Sequence, residues 1–225
     1  MTQGPHNPGR RQMLAAVVLA DADSLFQRLL QPKADSYREW FEAVRVDDVR
    51  RVQSLLARGF DANSVEPERF DTALIMSVRL KSSRVFSALL QGQDVNLNAR
   101  SLNGDTALMI AAYQPDIPRA LALIGKGAEI NRVGWTALHY AAASGSIPII
   151  QRLLDESAFI DAESPNKTTP LMMAARSGHS AVVRLLLDEG ADPTLKNEAE
   201  MTAADFARAQ GFKELARLLD DKTKP

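Results

Sequence analysis

Apolar residues in this chain fall into short blocks that close on paired branched side chains: Leu55-Leu56, Leu89-Leu90, Leu123-Ile124, Leu153-Leu154 and Leu186-Leu187. A turn segment follows most of them, as in Gly59-Phe60-Asp61-Ala62-Asn63, Gly127-Ala128-Glu129-Ile130-Asn131 and Gly190-Ala191-Asp192-Pro193-Thr194. Ser157-Ala158-Phe159-Ile160-Asp161 is a degenerate version, and Gln91 to Asn96 a shifted one. Within the blocks the spacing is helical: Val49, Val52, Leu55 and Leu56 share a face, as do Val182, Leu185 and Leu186. A second, shorter apolar segment precedes each block and opens on a threonine: Thr72, Thr106, Thr136, Thr169 and Thr202, at intervals of 34, 30, 33 and 33 residues. Nine residues after each threonine stands a residue suited to ending a helix: Lys81, Pro115, Gly145, Gly178 and Gly211. The repeating unit is therefore a short helix, a tight turn, a longer helix and a projecting loop. No such pair can bury its apolar face alone, so stacking must supply the core.

Local chemistry supports that phase. Thr136 and Thr169 can accept free amide protons at a helix start. Pro170 falls in the first turn, where its missing amide proton would have no partner. Ala141-Ala142 and Ala174-Ala175 are small enough for neighbouring helices to approach closely. In the first unit Asp35 or Ser36 is expected to cap a helix over 37–44, and Asp47 a second one from Val49 to Ala57, with Gly59 as its left-handed stop. Four residues after each threonine lie Met76, Ile110, Tyr140, Met173 and Phe206. This apolar column is assigned to the core between units and withheld from any binding face. Leu171 and Leu185 are likewise expected to be buried between units.

Composition narrows the function classes. Of 225 residues 45% are apolar, which is a globular balance, and 27 basic against 28 acidic residues leave a net charge of -1. A nucleic-acid binder normally carries a basic stripe, so none is expected here. With no cysteine, neither a disulfide framework nor a thiolate metal site can form. His6, His139 and His179 are not at metal-ligand spacing, and no metal or other cofactor is expected. Gly125-Lys126-Gly127 lies where a helix ends and lacks the flanks of a phosphate-binding loop. Asp155-Glu156, Asp188-Glu189 and Asp220-Asp221 recur with the architecture, which marks a solvated surface. No serine sits in a nucleophile elbow. The sequence carries no enzyme signature, and no apolar run approaches the roughly 20 residues that span a bilayer.

The amino end has two readings. Arg10-Arg11, the stretch Met13 to Ala20 and Ala20-Asp21-Ala22 form the pattern of a cleavable leader of twin-arginine type over residues 1–22. The other reading is a single amphipathic helix from about Gln12 to Leu30. Residues 23–35 are then a linker or capping segment, the periplasm is the expected compartment if the leader operates, and the cytoplasm if it does not.

The pattern resembles that of the ankyrin repeat family, possessed of a turn glycine, Thr-Pro-Leu-His, an alanine pair, a Gly-His turn, a leucine-rich helix and a Gly-Ala-Asp loop. Thr136-Ala137-Leu138-His139 with Gly145, Thr169-Pro170-Leu171-Met172 with Gly178-His179, and Leu185-Leu186-Leu187 with Gly190-Ala191-Asp192 carry the likeness. The resemblance implies an all-α solenoid of about six stacked helix-turn-helix units with projecting loops. They fall near 36–69, 70–103, 104–133, 134–166, 167–199 and 200–221, with the outer two as caps and 222–225 as a tail. Alanines 73, 107, 137 and 203 replace Pro170 in its column, and Ile75, Met109, Met172 and Asp205 replace His139. His139 is expected to bond loop backbone between units, as the family's structural histidine does. Lys167 and Glu200 stand where Gly104 and Gly134 hold the turn. The loop from Asn131 to Gly134 is three residues short, so one finger should be stunted and the concave face notched. The unit over 72–103 departs most from the pattern.

Family likeness also implies a non-catalytic, monomeric scaffold that binds a protein partner through its concave face. Phase and residue type single out Trp135, Tyr113 and Arg176, with Arg79, Arg132 and Thr168 beside them, because interface energy concentrates in Trp, Tyr and Arg. The competing role for Trp135 is packing beneath the short finger. A narrower function is a dedicated stabiliser or inhibitor of one partner enzyme, in the manner of exported bacterial ankyrin proteins linked with peroxide defence.

Overall fold

A computed structural model describes residues 35–92 and 94–223. The leader expectation for residues 1–22 lies outside them. Helix α1 covers 35–45, and eleven more follow: α2 (Val49–Ala57), α3 (Ala73–Arg79), α4 (Ser83–Gln91), α5 (Ala107–Tyr113), α6 (Ile117–Gly125), α7 (Ala137–Ser144), α8 (Ile147–Asp155), α9 (Pro170–Arg176), α10 (Ser180–Asp188), α11 (Ala203–Ala209) and α12 (Lys213–Lys222). They form six pairs. The short helices α3, α5, α7, α9 and α11 stack on one another in one layer, and α2, α4, α6, α8 and α10 in a second. The result is an all-α solenoid, and the 72–103 unit takes its ordinary place within it as α3 and α4.

Two chemical devices repeat in register. Each marker threonine is the residue at which the short helix begins, and Thr72, Thr106, Thr169 and Thr202 accept the amide proton three residues on. The partner bond in the other direction uses whatever atom that third residue offers. The Thr106 and Thr169 amides reach the sulfurs of Met109 and Met172 at 3.3 and 3.4 Å, Thr202 reaches Asp205 Oδ2 at 3.0 Å, and Thr136 reaches His139 Nδ1 at 3.2 Å. The turn between the two helices of a unit is left-handed at Asp47, Lys81, Gly145, Gly178 and Gly211, and Pro115 holds the same place. At two of these turns a glycine is also needed for space. A Cβ on Gly145 would lie 2.9 Å from the His179 ring, and one on Gly178 2.5 Å from the Phe212 ring.

The core runs the length of the stack. Leu74, Leu108, Leu138 and Leu171 occupy one buried column, and the alanine pairs 111–112, 141–142 and 174–175 are fully buried where the short helices meet. Trp40, Phe41 and Val44 of α1 are buried in the first of the described units.

Several expectations need correcting. Asp35 and Ser36 are already helical, so neither precedes α1 as a cap. Asp48, not Asp47, caps α2, accepting from the Arg51 amide at 3.1 Å. Asp47 takes the left-handed turn and so reaches the next unit, accepting from Arg84 and Val85 amides. Burial raises the Asp47 pKa, but the bonds from the Val85 and Arg84 amides and the Arg84 guanidinium outweigh it, and the net shift is downward. Leu185 is only half-buried. The buried face of α10 is Val182, Val183 and Leu186, because the outer helices bury a narrower stripe than the inner ones.

Candidate functional site

The fingers are built in two tiers. At their roots a ladder of short polar side chains ties each loop to the next: Asn63 donates to the Asp94 carbonyl at 2.7 Å, the Glu129 amide reaches Asn98, the Phe159 amide reaches Asn131, and the Asp192 amide reaches Asp161. Burial raises the pKa of Asp161, as does the charge of Asp192, while the bond from the Asp192 backbone partly offsets them.

At their tips, four fingers close as tight hairpins, with Glu66, Ser101, Ser164 and Asn197 amides donating to the carbonyls of Asp71, Asp105, Thr168 and Met201 at 2.9–3.1 Å. Each hairpin turns through a left-handed residue, Phe70, Gly104, Lys167 or Glu200. Adjacent tips also bond, Leu102 to Arg69 and Glu198 to Asn166. The finger between α6 and α7 has no such closing pair among the described residues. Gly134 keeps the left-handed turn, but the tip is missing and Val133 stands 98% exposed. The stack is notched here.

Behind the notch lies a recess of about 150 Å³ lined by Tyr113, Trp135, His139, Tyr140, Ala143 and Met173. Trp135 is half-buried. Its ring meets His139 at 5.2 Å and Tyr140 at 6.4 Å, centre to centre and steeply inclined to both. Tyr113, 61% exposed at the end of α5, stands edge-on to Tyr140 at 6.1 Å. The Tyr140 hydroxyl donates to Asp105 Oδ1 at 2.6 Å, and burial first, then that carboxylate, pushes its pKa up. His139 forms the floor. Its Nε2 lies 2.9 Å from the Thr168 carbonyl and its Nδ1 2.9 Å from Thr136 Oγ1, so the ring bonds the next unit's loop as well as its own helix start. Burial pushes its pKa down to about 4, against the opposing pull of the Thr168 and Ala162 carbonyls. The ring is therefore neutral at pH 7, with its proton on the nitrogen facing Thr168.

The sequence-derived residues divide. Trp135 and Tyr113 meet in this recess. Arg176 is exposed at the end of α9, one unit on and outside the recess lining. Arg79 is not a free cation, since it holds the buried carboxylate of Asp71 through two bonds of 2.8 and 3.3 Å. Arg132 is half-buried beneath the notch, its guanidinium 3.9 Å from the Met109 sulfur. Thr168 must be withdrawn from any docking face: at 4% exposure it lies under a closed hairpin, with its amide on Ser164 Oγ. The withheld column also needs correcting. Met76 and Ile110 are buried as expected, but Tyr140 and Met173 are partly open and line the recess. The signal for them was the short loop itself, which uncovers whatever lies behind it.

The family description "Ankyrin repeats (3 copies)" matches residues 40–133 and again 115–197. This chain belongs to the ankyrin repeat family. The stack is similar to Neurogenic locus notch homolog protein 1 of Xenopus tropicalis, at 33% identity over 132 residues, covering 57% of this chain and 5% of the relative. It is similar to human Transient receptor potential cation channel subfamily A member 1 at 29% over 140 residues, covering 57% of this chain and 12% of the relative. Mouse Protein fem-1 homolog A-like shares 38% over 80 residues, or 34% of this chain and 12% of the relative. The ankyrin stack thus spans only a small part of the length of these relatives. As a member of its family it is a non-catalytic protein-interaction module. Among the described residues no three His, Asp or Glu side chains converge as a metal site would require, and no helix is long and apolar enough to cross a membrane.

Proposed function

We propose that the ankyrin stack binds a protein partner through its concave face, centred on the recess behind the notch. The observation that carries this reading is a cluster of three aromatic rings left open where one finger tip is missing. Trp and Tyr contribute most at interfaces when a partner removes water from around them. Arg176 lies one unit further along and extends the same face as a rim cation, where a charge contributes little to affinity. A dedicated stabiliser or inhibitor of one enzyme is the narrower form of this function, because bracing or blocking an enzyme would use the same surface.

Affinity capture with the full chain, repeated with Trp135→Ala, tests the reading. The partner should be retained by the natural chain and lost by the variant, while both give the same helical circular dichroism. Equal retention by both would place the docking face elsewhere. The enzyme form of the reading adds that the purified stack changes the activity or lifetime of the captured protein.

Export to the periplasm by a cleaved leader is a separate proposal that rests on Arg10-Arg11, the apolar stretch and Ala20-Asp21-Ala22 alone. Mass spectrometry of the chain from its own host should find an amino terminus near Asp23, and an intact chain in the cytoplasm would overturn it.

A further inference from the structure

The recess has a shape and an electrostatic character that select among partner side chains. The Tyr113 and Trp135 planes are inclined at 85° and 76° to the plane of Tyr140, and all three rings border one small space. Its volume, about 150 Å³, is that of a single side-chain head rather than of a whole small-molecule ligand. The face of each ring carries negative charge density from its quadrupole, and a cation close to several rings is attracted by all of them. The Tyr140 hydroxyl donates a hydrogen bond to Asp105, which makes its ring richer in electrons and places a carboxylate behind it.

The charge bonded directly to the ring cluster is anionic, the Asp105 carboxylate, whereas Arg132 lies beneath the notch with its guanidinium against the Met109 sulfur and Arg176 stands one unit further along. Among the described residues no Lys or Arg forms an ion pair with Asp105, while the cation one unit before it, Arg79, is neutralised by Asp71. The floor residue, His139, carries no charge at neutral pH. Ala143 leaves room at one side and Met173 offers a polarisable sulfur at another. A flat guanidinium would stack on only one ring of such a set, whereas a rounded head touches all three.

We propose that the recess is an aromatic cage for a rounded alkylammonium head presented by the protein partner, a methylated lysine being the side chain of matching shape. This rests on the docking reading above, and narrows it from a face to one side chain.

The test titrates the full chain with N-acetyl-trimethyllysine amide and with its neutral isostere, in which a tert-butyl carbon replaces the trimethylammonium nitrogen. Binding is followed through the indole N–H resonance of Trp135 in the NMR spectrum. The cation should bind about fivefold or more tightly than the isostere, the factor equivalent to roughly 1 kcal/mol. Tyr113→Ala, at an exposed position that leaves the core intact, should remove most of that preference. Unmethylated N-acetyl-lysine amide should bind more weakly than the trimethylated form, because its smaller, better hydrated head gives up more water for less ring contact. Choline serves as a control for a free ammonium ligand. If choline alone binds and the lysine derivatives do not, the cage serves a small molecule and the protein side chain is excluded. Equal binding of cation and isostere, or no binding of either, overturns the cage. A Trp135-dependent partner would still stand in that case as an apolar contact, whereas a partner indifferent to Trp135→Ala would remove the docking reading itself.

Discussion

The fourth and fifth units are near copies, 33 residues apart, and differ where it matters. Trp135 and Thr168 hold the same position, one before the helix-starting threonine. Thr168 is covered by the hairpin that its own carbonyl closes with Ser164, whereas Trp135 has no hairpin above it and is only partly buried. His139 and Met172 likewise hold one position, and each accepts the amide proton at the start of its helix, one through nitrogen and one through sulfur. Only His139 has a second polar atom, and it spends that atom on the carbonyl of Thr168 in the next unit. The interior of a repeat is therefore set by phase and tolerates several chemistries. What a repeat shows to the outside is set by the length of its loop.

The strongest way to break this comparison is through the shared interior. Leu138 and Leu171 are equivalent and each is about 1% exposed. Truncation of either to Ala should cost about 2–5 kcal/mol, measured by denaturant unfolding. The half-buried Leu185 should cost clearly less, and a reversed order would show that the two helical layers have been misassigned.

The next test concerns an interior position that titrates. His139 has a folded pKa of about 4 against an ordinary value of 6.5. Its depressed pKa means that the unfolded chain takes up the proton first as pH falls. Its contribution is fully present above pH 6.5, declines through the window below it and is lost by about pH 4, amounting to roughly 3 kcal/mol. His139→Met imitates the fifth unit, so this share of the pH dependence should disappear while the helix start keeps an acceptor. Retention of the same acid sensitivity in the variant would assign it to other groups.

On the outer side, Trp135→Ala should weaken a captured partner by about thirtyfold, equivalent to roughly 2 kcal/mol, with the unfolding midpoint nearly unchanged. Thr168→Ala should leave binding unaltered. A midpoint that collapses in the Trp135 variant would make the indole a plug beneath the notch. The smallest effect is expected from completing the short finger. Three residues inserted between Val133 and Gly134 should screen the recess and lower affinity several-fold without loss of stability, since loop length affects stability only weakly.

The local devices were legible because each depends on a residue's own backbone or on a partner three or four residues away. The threonine caps, the left-handed turns at Gly145 and Gly178, the proline at the start of α9 and the missing tip after Asn131 are all of that kind. His139 could be read as a loop-binding histidine because it stands where the resembled family keeps its structural histidine. Arg79 could not be placed so. Its guanidinium turns back to Asp71 eight residues earlier, a pairing made by the finger's approach to the helix end.

Sequence alone determined the number of units, their period, the threonine caps of the short helices and the place of the notch, since these follow from short-range chemistry repeated in register. Tertiary structure decided that Asp47 serves the neighbouring unit, that Leu186 and not Leu185 faces inward, and that Tyr140 and Met173 open where Met76 and Ile110 are sealed. The reason is physical. Every repeat has nearly the same local code, so positions that look equivalent along the chain differ only in what the adjoining repeat and its finger lay over them.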